Sequence, residues 1–198
     1  TPVDGADSYM PVFQAGLSIA QSIAAPMSVP LYQTTHQRGH LVAARIGQAF
    51  EPQNGYIGFH LSGGTTDLLR IHDTELEWLR SSLDLHAGQL IDRVGVRLGL
   101  TFPSGPSLET LAISGKPQGR YGAVVRNGAC HLSGIEAAVM RDIDEQALCP
   151  EDIAAEVFDA IARTVCKMLE WAEKQTGYRD ALLFGGVASS KLFRSVLN

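Results

Sequence analysis

The sequence has no run of eighteen apolar residues, so no bilayer-spanning helix is expected. It has no secretory leader pattern. Cysteine is scarce: Cys130, Cys149 and Cys166 are odd in number, widely spaced and without a CxxC pair. They read as reduced thiols of a cytosolic protein, with Cys166 expected in the core from its place on a helical stripe. No Walker pattern, no GxGxxG and no HExxH occur. Basic charge is also short. A formal net charge of −5 over 198 residues argues against a chain that is cationic all over.

What remains is ordinary globular material, 45% hydrophobic and 19% charged. Its charge is segregated. Residues 93–126 carry Arg93, Arg97, Lys116, Arg120 and Arg126 against Glu109 alone, whereas residues 136–173 carry ten acidic groups against three basic ones. The basic stretch can meet phosphate or serve as a solvated face. Both ends read as unfinished. Thr1 opens a loop-like TPVDG and Asn198 stops inside a helical pattern, so a fragment is expected.

Apolar spacing predicts helices over 8–25 (capped by Ser8, ended by Pro26), 39–50, 86–98, 107–114, 133–143 (capped by Ser133) and 150–176. Strands are expected at 29–33, 55–62, 65–72, 75–80 and 181–184, with a last helix from about 189. Residues 115–132 read as irregular or as an exposed hairpin. Strand–helix alternation with a hairpin implies an α/β layer fold with a mixed sheet.

Three features bear on chemistry. His36 and His40 are four apart, so on a helix they point the same way and can share a metal ion; the same spacing also serves as surface or capping residues. Ser62-Gly63-Gly64-Thr65-Thr66 joins two strands, and Gly185-Gly186-Val187-Ala188-Ser189-Ser190 joins a strand to a helix. Glycines without Cβ let a phosphate approach backbone N–H groups, although most glycine turns are only turns.

The order of these features is H-x-x-x-H, a strand with SGG, D-x-x-x-G-x-x-x-D, P-x-G-P, a long helix and FGGVASS. It resembles the universal tRNA threonylcarbamoyladenosine transferase family, formerly labelled O-sialoglycoprotein endopeptidase or glycoprotease, over about residues 8–198. The resemblance implies an actin-like ATPase or sugar-kinase-like α/β fold, with mixed sheets flanked by helices and incomplete at both termini. Residues 1–50 would close an N-terminal lobe carrying the His-x3-His helix, and residues 51–198 would form most of the C-terminal lobe. His36 and His40 match metal-binding histidines for iron or zinc. His60 stands where it is either a third metal ligand or a core histidine. Leu61, Ser62, Gly63 and Gly64 match a loop touching ATP or threonylcarbamoyl-AMP, with magnesium as a further ion. Asp92 matches a ribose-binding carboxylate, Gly88 and Gly105 match glycines close to the ligand, and Gly185 and Gly186 match a second phosphate turn. Ser190 falls where relatives have an asparagine that binds the adenine nucleotide part. tRNA, partner subunits of a tRNA-modification complex or a second copy, and a cytoplasmic location follow, without a membrane.

The sequence departs from that pattern at Thr65 (His or Asn in relatives), at Asp84–Asp92 (an Asp and a Glu lost), at Glu136 (a Lys in relatives) and at Ser190. The first phosphate loop and a metal-binding Asp are expected outside residues 1–198. The reading is a divergent threonylcarbamoyl transferase homologue. Its alternative is a non-catalytic paralogue acting as an assembly partner or nucleotide-responsive module. A glycoprotein metalloprotease ranks last, because no general base stands beside the histidines.

Overall fold

A computed structural model describes residues 11–197 apart from residues 33, 48, 53 and 74; the side chains of residues 11–13 and 36 also lie outside the described set. The expected Ser8 cap therefore falls outside it. The chain divides into two compact units, Thr1–Glu51 and Pro52–Asn198.

The first unit is helical. α1 (Pro11–Met27) closes through Ser28, whose φ of 52° is left-handed. Ser28 N–H donates to Ala25 O and Val29 N–H to Ala24 O, so the last carbonyls are satisfied by a Schellman-type turn. The strand expected at 29–33 does not form among the described residues. Pro30 has no N–H to give to a ladder, and Tyr32 is 86% exposed. α2 (His36–Arg45) starts three residues earlier than expected, because Thr35 Oγ1 accepts the Arg38 N–H at 3.2 Å and caps it. It ends five residues sooner, with Ile46 extended and Gly47 left-handed.

The second unit is an α/β layer. β1 (Tyr56–Leu61), β2 (Thr66–His72) and β3 (Glu75–Ser81) form an antiparallel meander, and β6 (Ala181–Phe184) adds parallel to β1, giving the order β3-β2-β1-β6. The mixed sheet is as the sequence implies. β1 is buried at every position because it is central and covered on both faces. Ile57, Phe59, Leu61 and Leu68 pack into one core with α6 (Pro150–Thr176). Each such burial contributes on the order of 2 kcal/mol. β3 lies at the edge and protects it with Glu75, Glu77 and Arg80.

The remaining helices are α3 (Ala87–Arg97), α4 (Gly105–Ala112), α5 (Ser133–Asp144) and α7 (Lys191–Leu197). A short hairpin, β4 (Val124–Arg126) with β5 (Ala129–His131), turns at Asn127-Gly128, both left-handed. Gly128 cannot carry a side chain: its Cβ would stand 2.3 Å from the Trp171 ring. α6 begins with Pro150 and two acids in its first turn, and stops at left-handed Gly177. Among the described residues no helix is long and apolar enough to cross a membrane. Cys130 is buried, and its thiol is pushed up to about 11 by burial. Cys166, expected in the core, is exposed, since it falls one step off the buried Ile161–Val165–Met168 stripe.

Residues 115–123 have no regular structure, and α6 supplies their hydrogen-bond partners. Asp152 Oδ1 accepts from Lys116 N–H; Glu156 accepts from Gln118 N–H at 2.6 Å and Arg120 N–H at 2.9 Å. Further along, Arg163 donates to Tyr121 O and Lys167 to Ala123 O. Much of the acidic segment is thus a row of caps for a strap that pairs with no strand. Glu156 is only 2% exposed. Glu156→Gln replaces one acceptor by an N–H facing an N–H. It should cost about 2 kcal/mol, read as a lower urea midpoint with unchanged slope; an unchanged midpoint would contradict the strap assignment.

Candidate functional site

The two parallel strands β1 and β6 each run into a glycine turn at their carboxyl end. That edge is where open α/β sheets receive ligands. At the end of β1, Ser62 N–H donates to Thr65 O at 2.8 Å, and Gly64 N–H to Ser62 Oγ. Ser62 O accepts Gly88 N–H at 3.1 Å. A Cβ on Gly88 would lie 2.6 Å from the Gly63 nitrogen. Gly88 is therefore glycine so that the turn can rest on α3 main chain against main chain. At the end of β6, left-handed Gly185 approaches Leu61 in the same way, its Cβ position being 2.3 Å from Leu61 O, and Val187 N–H donates to that oxygen. Both turns are fastened to the same strand end.

Between them lies a cleft of about 380 Å³ whose lining includes Gly63, Gly88, Asp92, Gly105, Gly186 and Ser190. Those six were singled out from sequence, and they meet in one place. Where Cβ atoms would stand, Gly63 and Gly186 meet nothing within 4 Å and Gly105 only Ile91 at 3.8 Å, so the approach to their main chain is open. Leu61, Ser62, Gly64 and Gly185 build the turns without lining the cleft. The first N–H groups of α3 are already used, Ala87 by Thr66 Oγ1 and Gly88 by Ser62 O, so α3 offers no bare N-terminus to an anion.

Asp92 faces the cleft from α3. Its Oδ1 accepts Ser104 N–H at 2.8 Å, and Ser104 Oγ donates to the Asp92 carbonyl at 3.0 Å. Ser104 is fully buried, and only a glycine at position 95 leaves room for its hydroxyl, which stands 2.2 Å from the Gly95 Cβ position. One carboxylate oxygen is thus tied to the 102–106 loop; among the described residues no donor reaches the other. Ser190 Oγ accepts Phe193 N–H at 3.0 Å and caps α7. Glu109 Oε1 joins α4 to α7 through Leu192 N–H.

Asp84 has a role that sequence reading did not give it, although it opens the D-x-x-x-G-x-x-x-D string. Its Oδ1 accepts Leu85 and Leu132 N–H; its Oδ2 accepts Ser133 Oγ–H at 2.5 Å and faces His131. It locks the start of α5 to the approach to α3, so the Ser133 hydroxyl expected as the cap is spent on Asp84 instead. Burial pushes the Asp84 carboxyl up, but the bonds from Ser133, Leu132 and Leu85 outweigh it and hold it at about 2.

His60 sits within β1, 3% exposed and stacked on Phe184 with centroids 4.9 Å apart, and it does not line the cleft. His36 and His40 stand one turn apart on α2; His40 is exposed, and the His36 side chain is outside the described residues. Among the described residues no group of three or more His, Cys, Asp or Glu forms a metal cluster. The segregated charges largely cancel. Arg93 pairs with Glu136 at 2.9 Å, Arg97 with Asp144, and Arg120 with the buried Asp142. The basic stretch is left with Lys116 and Arg126 outside these pairs.

The family model for tRNA N6-adenosine threonylcarbamoyltransferase matches residues 10–198. A curated relative of that name from Polynucleobacter asymbioticus is 30% identical over 200 residues, covering 92% of this chain and 56% of its own. The chain spans about half the length of the curated relatives it matches. Among solved structures, the HypF of T. kodakarensis superimposes with a TM-score of 0.74 at 16% identity, over 91% of this chain and 34% of that one. A full-length HypF in its phosphate- and nucleotide-bound form gives 0.71 at 12% identity, over 90% and 39%. The fold is the mixed α/β, helix-flanked architecture of the actin-like ATPase type.

The Asp84 junction has a pH signature. Its folded pKa lies below the ordinary 3.8, so its stabilisation is full above pH 4 and is lost as pH falls toward 2. With screening at this partly exposed site the loss is about 1 kcal/mol. Asp84→Asn should remove that loss, flattening the stability-against-pH curve between pH 4 and 2 relative to wild type in urea titrations; parallel curves would contradict the assignment.

Proposed function

The chain belongs to the tRNA N6-adenosine threonylcarbamoyltransferase family, and on that footing we propose that the cleft between its glycine turns holds an adenine nucleotide, the donor in a carbamoyl transfer to the N6 amine of adenosine in tRNA. The observation that carries this reading is the convergence of Gly63, Gly105, Gly186 and Asp92 on one cleft at the carboxyl ends of β1 and β6. The open main chain of Gly63 and Gly186 suits phosphate oxygens on either side. The Asp92 oxygen not held by Ser104 suits a ribose hydroxyl, which donates to it. The nucleotide-bound HypF structure, of the same fold, adds support.

In the transfer, the N6 nitrogen attacks the carbamoyl carbon of threonylcarbamoyl-AMP. A C–N bond forms, the C–O bond to the phosphate breaks, AMP leaves with the electron pair, and the proton lost from N6 passes to water. Here the turns hold the phosphate as it gains charge, and Asp92 fixes the ribose so that the carbonyl is presented in one orientation. Two neutral imidazoles at i and i+4 fit a divalent iron or zinc ion, so His36 and His40 are the proposed holders. An ion held there would supply Lewis-acid chemistry. His60, enclosed in the sheet against Phe184, is better suited to supporting the turn than to reaching solvent for an ion. The tRNA acceptor and partner subunits or a second copy complete the proposal.

Two measurements test it. Isothermal titration with ATP and magnesium should show saturable binding that weakens about tenfold or more in Asp92→Ala; equal affinity in the two proteins would remove the ribose role. Protein purified with iron or zinc should carry near-stoichiometric metal that His36→Ala and His40→Ala each abolish; unchanged metal content would remove the imidazole pair.

A further inference from the structure

A second and larger hollow, about 700 Å³, adjoins the cleft and shares Gly63 and Asp92 with it. Its floor is apolar: Val96 on α3, Phe102 on the following loop and Met140 on α5. Phe102 is 70% exposed and Val96 51% exposed. An aromatic ring held out to solvent beside a cleft is an unfavourable arrangement unless something covers it.

The polar rim narrows what that is. Gln89, Arg93 and Glu136 stand around the floor. Arg93 donates to both Glu136 oxygens, at 2.9 and 3.3 Å, and Arg97 is paired with Asp144. The cations are already compensated, so the rim is poor at attracting a phosphate. It instead offers donors and acceptors side by side without net charge, over an apolar shelf. That is what the edge and face of a neutral nucleobase require, since every base has a stackable face and a mixed hydrogen-bonding edge. A carboxylate has about four lone-pair sites, so Glu136 can accept from an exocyclic amine while holding Arg93.

We propose that this hollow is the acceptor subsite, in which an unstacked purine of a single-stranded RNA loop lies on Phe102 with its edge toward Glu136, Arg93 and Gln89. The inference rests on the reading that the neighbouring cleft holds the donor nucleotide, and the shared Gly63 and Asp92 bring the two ligands side by side. The loop that presents Phe102 is tied to Asp92 through Ser104, so one carboxylate serves both subsites. Glu136 stands where the family string has lysine, and it sits at the point where an exocyclic amine needs an acceptor.

The test uses the full chain and a fluorescein-labelled RNA hairpin with one adenosine in its loop, against the same hairpin with that position abasic. By anisotropy, wild type should prefer the adenosine hairpin by about tenfold, the low end for loss of one stacked base. Phe102→Ala should lose the preference, Phe102→Tyr should keep it, and both should bind ATP as wild type does. Equal affinity of wild type for both hairpins, or an unchanged preference in Phe102→Ala, overturns the inference; a hollow that serves a protein side chain gives that result. Preference without any ATP binding would leave the base subsite standing and remove the donor cleft. ATP binding without preference would do the reverse.

Discussion

Contact of main chain with main chain at the carboxyl end of β1 sets the geometry of everything around it. Ser62 O takes the Gly88 N–H, and Leu61 O takes the Val187 N–H. Neither approach is open to a residue with a Cβ at 88 or 185, where side-chain atoms would fall 2.6 and 2.3 Å from backbone. Hydrogen bonds between backbone groups at van der Waals contact leave little play. The two turns and the first residues of α3 are therefore fastened to one strand end. Such fastening suits a site that must position a nucleotide.

The same economy of backbone groups explains the charge pattern. Acidic residues that look, in sequence, like a solvated face are used one by one. Asp84 closes α5, Asp152 and Glu156 hold the strap over 115–123, and Asp142 takes Arg120 and the Tyr121 hydroxyl. Arg120 beside it holds the Asp142 carboxyl below its usual range, against the opposing effect of burial. Charges far apart in the chain thus cancel in space, and the surface near the site is closer to neutral than the sequence suggests. A neutral rim favours recognition by stacking and edge hydrogen bonds over broad attraction to phosphate.

Much of this was legible in the sequence. The bounds of α6 and β6, the meander and the mixed sheet follow from apolar periodicity and turn residues, because burial drives both pattern and structure. The strand expected at 29–33 failed because an apolar run says nothing about whether a partner strand exists, and Pro30 cannot join a ladder. Cys166 lies a small phase step off the buried stripe of a long helix, which apolar spacing alone does not resolve. The cleft residues were legible only through motif order. Motif order marks Gly88 as room for a ligand, whereas its contact with Gly63 gives it a prior structural reason. Nothing in the sequence signals the contacts of Ser104, Thr66 and Asp84: their value lies in which backbone groups they meet across 12 to 48 residues of separation.

A nucleotide lying between the two turns would meet their main-chain amides first. Amide chemical shifts during an ATP–magnesium titration read this out, with Gly63, Gly105 and Gly186 as reporters and Gly128 and Gly177, which do not line the cleft, as controls. The three cleft amides should shift together with one saturation curve while the controls stay still. Saturation with Gly63 and Gly186 unmoved would contradict it.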